Sequence, residues 1–137
     1  MAADIREILR ASALLAKLSD DDLTNLTAIA RERSFAEGDV LTAAGSTDAL
    51  GMWIIVEGNV EVSRDGKLLN TLGPGDHVGE MALMADIRRS ADVTAKGDVR
   101  TLQLSRWDLR GLIADHPDIA LAIMDAMATR LAEQNEV

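Results

Sequence analysis

The stretch Met52-Trp53-Ile54-Ile55-Val56-Glu57-Gly58-Asn59-Val60-Glu61-Val62-Ser63-Arg64-Asp65-Gly66-Lys67-Leu68-Leu69-Asn70-Thr71-Leu72-Gly73-Pro74-Gly75-Asp76 decides the architecture. Met52 to Val56 is an apolar run rich in β-formers. Gly58-Asn59 interrupts it, and Val60-Glu61-Val62-Ser63 then alternates apolar and polar, the period of a strand with one buried face. Arg64-Asp65-Gly66-Lys67 reads as a tight hairpin, because Asp-Gly tolerates the positive φ that such turns need. Leu68 to Leu72 is the return strand, and Gly73-Pro74-Gly75-Asp76 is a strong turn.

Working outward, Glu37-Gly38-Asp39 is a turn upstream, while Val93 and Val99 to Leu104 supply strands downstream. Turns recur about every ten residues between Arg31 and Ser105, which predicts a β-sandwich or barrel. Both flanks read as helical. Ile5, Ile8 and Leu9, then Leu14, Leu15 and Leu18, have helical spacing with a break near Ser12. Ser19 is a candidate N-cap, with Asp20, Asp21 and Asp22 favouring the positive helix end. After the strands, Arg106 to Ala114 reads as one helix, and Pro117 suits the first turn of another over Asp118 to Glu133. Apolar residues nearly encircle that last helix: Ile119, Leu121, Ile123, Met124, Met127 and Leu131, with alanines between. A helix that is apolar on more than one face has to bury more than one face. A ligand, a second copy of the chain or an effector domain is the expected partner for the extra face.

The chain has 137 residues, 47% of them hydrophobic, which fits a single globular domain over residues 1–137. Its expected parts are helices over 1–30, strands over 31–105 and C-terminal helices over 106–135. Phe35, Trp53 and Trp107 are the whole aromatic set, so Leu, Ile, Val, Met and Ala must build the core. The formal net charge of −9 repels a phosphate polymer, so nucleic acid is not expected as a partner for this chain alone. The absence of cysteine excludes disulfides, thiolate metal sites and cysteine nucleophiles. No run of about 18 apolar residues is available to span a bilayer. The charged start, Met1-Ala2-Ala3-Asp4-Ile5-Arg6-Glu7, is unlike a signal peptide, so a cytoplasmic location without membrane contact is the expectation.

Candidate chemistry concentrates in Gly79-Glu80-Met81-Ala82-Leu83 and, five residues later, Arg89-Ser90-Ala91-Asp92-Val93. Gly79 permits unusual backbone angles or close approach to a ligand. Glu80 to Met84 can form a helical turn whose N–H groups point at an anion. Arg89 can meet a phosphate with a two-pronged contact, and Ser90 can add a hydroxyl donor. Glu80 only accepts when ionised, which suits a sugar hydroxyl. A cation, backbone donors and one carboxylate together match a sugar phosphate. Bland readings stay open beside these: a surface arginine at Arg89 and a helix-end carboxylate at Glu80. His77 and Glu80 raise a metal, but the one other histidine is His116 in a helix-start context, too few ligands for a site, and none is expected. No serine has an evident histidine partner, so hydrolase chemistry is unsupported and no enzyme is expected.

These residues carry a family resemblance. The stretch Val78-Gly79-Glu80-Met81-Ala82-Leu83 with Arg89-Ser90-Ala91-Asp92-Val93 resembles the phosphate-binding cassette of the cyclic-nucleotide-binding domain family, F-G-E-[LIM]-A-L, a spacer, then R-[STA]-A-x-V. That family includes the catabolite activator protein and the regulatory subunits of cyclic-AMP-dependent protein kinase. The similarity runs from about Leu14 to the C-terminus and takes in Gly38, Gly45, Gly58, Gly73-Pro74-Gly75-Asp76 and His116-Pro117. The resemblance implies a mainly β fold, an eight-stranded, jelly-roll-like β-roll with N-terminal helices and two C-terminal helices. It implies that Glu80 accepts the ribose 2′-OH, that Arg89 pairs with the cyclic phosphate, and that Ser90 with backbone N–H groups near Ala82 and Leu83 completes the phosphate shell. Gly79, Met81 and Ala91 belong to the same ligand-binding set. The implied ligand is cyclic AMP, with cyclic GMP as the alternative, and the implied output is movement of the C-terminal helices. A β-roll interaction or dimerisation domain that no longer binds nucleotide is the competing function. Val78 stands where the family has an aromatic, and Ser90 does not decide the base. Asp92 puts a carboxylate near the phosphate, which costs binding unless the side chain points elsewhere.

Overall fold

A computed structural model describes residues 2–46, 51–79 and 89–134. The chain forms two compact units: residues 30–106, and residues 1–29 together with 107–137.

The first unit is an antiparallel sheet. Its strands are β1 (Arg31–Phe35), β2 (Val40–Thr42), β3 (Met52–Arg64), β4 (Lys67–Leu72), β5 (His77–Val78) and β6 (Asp92–Leu104). The main order is β1-β6-β3-β4, with β2 also paired to β6 and β5 to β3. The expected hairpin joins β3 to β4. Asp65 and Gly66 both take positive φ, 52° and 76°, as a type I′ turn requires.

The mainly β expectation holds, and the eight expected strands appear as six longer or shorter elements among the described residues. Gly58-Asn59 does not end a strand: β3 runs through it, with register shifts between Ile55 and Glu57 and between Glu57 and Asn59. The shifts have a consequence for packing. Trp53 and Ile55 lie on the inner face, and an unbroken period of two would turn Val60 and Val62 outward. The irregularity resets the alternation, and Val60 joins the core while Val62 packs against it. Gly58 makes this affordable, since its φ is +89° and a Cβ there would meet the Val99 Cα at 3.1 Å. Leu41, Trp53, Ile55, Val60, Val78, Val93, Ala95 and Val99 form the buried cluster, with Phe35 and Leu72 against it. Met52, Ile54, Leu102 and Leu104, on the opposite faces of β3 and β6, are buried as well.

The second unit is helical: α1 (Ala2–Ala11), α2 (Asp20–Ile29), α3 (Arg106–Asp115, all but its first residue) and α4 (Asp118–Gln134). The break near Ser12 is a run of turns between α1 and α2. Ser19 caps α2: its Oγ accepts the Asp22 N–H at 3.1 Å and its carbonyl accepts the Leu23 N–H at 2.9 Å. Leu9, Leu14, Leu15, Leu23 and Leu26 are fully buried, as is Ile119 of α4. Lys17 reaches Asp125 at 3.2 Å, and the Asn25 amide lies 3.4 Å from His116 Nε2. The apolar excess on α4 divides as its pattern implies. Ile119, Ile123 and Ala126 are buried, whereas Leu121, Met124 and Leu131 are exposed.

Candidate functional site

Three chain segments converge on the Arg89 side chain. Gly51 precedes β3, Gly79 follows β5, and Arg89 precedes β6. The pairing of Trp53 with Val78 brings the first two together, because each glycine lies just beyond this pair on its own strand. The Arg89 guanidinium donates to the Gly51 carbonyl at 2.8 Å and to the Gly79 carbonyl at 3.2 Å. Its Cζ stands 5.6 Å from the centre of the Trp53 ring, within cation–π range. Arg89 is only 8% exposed. A buried charge demands compensation, and the carbonyl dipoles and the indole face contribute to it.

Those contacts also fix direction. A guanidinium is a planar fork of five N–H donors, so tying two of them to carbonyls sets the plane of the rest. The backbone of Arg89 is fixed as well. Its N–H donates to the Ser46 carbonyl, and its carbonyl accepts the Gly45 N–H, both at 2.8 Å. The Ser90 carbonyl accepts from Arg64 Nε at 2.7 Å. Asp92 accepts the Ala44 N–H at 2.7 Å. This carboxylate therefore points into the loop after β2.

Gly79 is required here as well as tolerated. Its φ is +84°, and a Cβ would collide with Arg89 Nη1 and lie 2.9 Å from the Gly51 carbonyl oxygen. The glycine therefore admits the arginine to its place. Ser90 is exposed and Ala91 buried beside it at the entry to β6. Of the remaining expected ligand residues, Glu80, Met81, Ala82 and Leu83 lie outside the described residues.

Two participants were not legible from motif spacing. Gly51 and Trp53 are distant from the cassette in sequence, and only strand pairing brings them to Arg89. Away from Arg89, a cleft of about 560 Å³ opens beside Phe35, Glu57 and Arg100. Its cation is committed to ion pairs, Arg100 to Glu32 at 2.6 Å and to Glu57 at 3.2 Å, so it reads as a solvated charged face. Among the described residues no group of three potential metal ligands comes together. No described helix is long and apolar enough to cross a membrane.

A buried arginine oriented by two backbone carbonyls, one of them from a positive-φ glycine, thus stands just before the long strand β6 of a small antiparallel sheet. The cyclic nucleotide-binding domain model matches residues 32–116, and the chain belongs to that family. The chain is 38% identical over 126 residues to Glutaminase 2 of Bradyrhizobium diazoefficiens, covering 89% of this chain and 19% of that protein. It is 29% identical over 134 residues to a CRP-like cAMP-activated global transcriptional regulator of Mycobacterium tuberculosis, covering 94% of this chain and 59% of that one. The N-terminal domain of a transcriptional regulator from Streptomyces coelicolor superposes with a TM-score of 0.85 at 30% identity, covering 94% of this chain and 93% of that chain. The regulatory domain of Toxoplasma gondii PKA with cAMP superposes with a TM-score of 0.73 at 27% identity, over 83% of this chain and 45% of that one. The chain thus spans less than two thirds of the length of these curated relatives.

Proposed function

We propose that this chain is a non-enzymatic sensor module for cyclic AMP. The observation that carries the proposal is the buried Arg89, aimed by the Gly51 and Gly79 carbonyls. In this reading Arg89 pairs with the cyclic phosphate and Ser90 adds a hydroxyl donor, as phosphate chemistry favours. Gly79 lets the chain approach the ligand closely, with Met81 and Ala91 lining the same site. Glu80 accepts the ribose 2′-OH, and backbone N–H groups near Ala82 and Leu83 complete the phosphate shell. Cyclic AMP is preferred over cyclic GMP because the mycobacterial relative is a cAMP-activated regulator and the Toxoplasma domain was crystallised with cAMP.

Occupancy is signalled through the C-terminal helices: the nucleotide binds one of their arrangements more tightly than the other, and that differential affinity supplies the coupling. The exposed Leu121, Met124 and Leu131 on α4 support an output surface toward a second copy or an effector domain. The module works in the cytoplasm and touches neither membrane nor nucleic acid by itself. Calorimetric titration with cyclic AMP and cyclic GMP tests the proposal. Saturable binding of cyclic AMP, tighter than of cyclic GMP, is expected; no binding of either leaves an interaction or dimerisation domain on the same fold.

A further inference from the structure

Trp53 carries a polar group that the packing does not use. Its indole is 1% exposed, and the Nε1–H has no hydrogen-bond partner. A buried donor without an acceptor is destabilising. Tryptophan is generally placed where its N–H finds a partner, and an all-hydrocarbon ring would serve the surrounding cluster of Leu41, Ile55, Val78 and Val93 equally well.

The position of the indole supplies the reason. Arg89 Cζ is 5.6 Å from the ring centre. The carbonyls that orient that guanidinium belong to Gly51, two residues before Trp53, and to Gly79, the neighbour of its cross-strand partner Val78. The indole that carries the orphan N–H and the directed guanidinium are therefore direct neighbours. An indole N–H donates and never accepts, so it does not repel an anion.

We propose that Trp53 Nε1–H is a second donor to the phosphate of the bound cyclic nucleotide, alongside Arg89. This rests on the sensor reading above and adds a ligand-contacting residue outside the cassette. Its energetic logic is that the hydrogen bond left unmade in the roll is completed by the ligand, at a strength typical of a charged acceptor.

The chain has two tryptophans, Trp53 and the 64% exposed Trp107 of α3, and the spectrum of Trp53→Phe tells their indole resonances apart. In ¹⁵N-labelled protein, the Trp53 indole resonance is expected to move downfield with saturating cyclic AMP and to stay in place with adenosine, which lacks the phosphate. Trp53→Phe is expected to weaken cyclic AMP binding by about tenfold. Saturable cyclic AMP binding with an unmoved Trp53 resonance overturns the proposal, as does unchanged affinity in a folded Trp53→Phe variant. If that variant fails to fold, the resonance in the native chain decides. If the native chain binds neither cyclic AMP nor cyclic GMP, the sensor reading fails first, in a measurement made before any variant, and this inference falls with it.

Discussion

The Asp92 carboxylate accepts the backbone N–H of Ala44 at 2.7 Å. The residues lie at opposite ends of a strap: Gly45 and Ser46 exchange backbone hydrogen bonds with Arg89, three residues before Asp92. The carboxylate thus closes a loop that holds the arginine's backbone, and its charge is directed to an amide. An acid so close to an anion site would otherwise oppose binding.

Replacing Asp92 tests that assignment. Asp92→Ala is expected to lower unfolding stability by about 1 kcal/mol, the scale of one partly exposed hydrogen bond, and to weaken cyclic AMP binding a few-fold. Asp92→Asn keeps an acceptor oxygen and is expected to stay close to the parent in both. Chemical denaturation and calorimetry read the two effects. Tighter binding by Asp92→Ala would show that repulsion, and not the strap, dominates at this position.

Gly79 admits the guanidinium, and any side chain there meets it. Gly79→Ala carries a left-handed backbone cost of about 1–2 kcal/mol and pushes Arg89 from the Gly51 and Gly79 carbonyls. Nucleotide binding is expected to fall far more than stability does. Full affinity in a folded Gly79→Ala protein would mean that the observed position of Arg89 is not the binding one.

The helical unit has its own test at Ser19. Its hydroxyl accepts the Asp22 N–H at the start of α2. Ser19→Ala should cost about 1 kcal/mol, visible as a lower denaturation midpoint, while Ser19→Asp should retain most of the stability. An unchanged midpoint for the alanine variant would show that the cap contributes nothing.

What the sequence conveyed follows from the range of the interactions. Asp65-Gly66 and Ser19 act within four residues, and both the hairpin and the cap stand as read. Arg89 was legible because it opens the second block of the cassette, Arg89-Ser90-Ala91-Asp92-Val93. The continuity of β3 through Gly58 was not legible, because pairing with β6, not local preference, carries the strand across the bulge. Asp92 looked misplaced because its partner, Ala44, is 48 residues away. Trp53 is one residue of an apolar run in the sequence, and only its register with Val78 puts the indole beside Arg89. The expected roles of Glu80, Met81, Ala82 and Leu83 rest on the resemblance alone.

The central claim is that Arg89 holds a cyclic phosphate. Arg89→Ala removes the cation while Trp53 and the strap remain, and the expected loss of binding is about 2–5 kcal/mol. Arg89→Lys keeps the charge without the fork that Gly51 and Gly79 orient, and should recover only part of it. The decisive measurement is a calorimetric titration of the native chain and of Arg89→Ala with cyclic AMP, both shown to be folded. The expected result is saturable one-to-one binding by the native chain and at least a thirty-fold weakening, roughly 2 kcal/mol, in the variant. Equal affinity in the two proteins would place the ligand elsewhere and contradict the account.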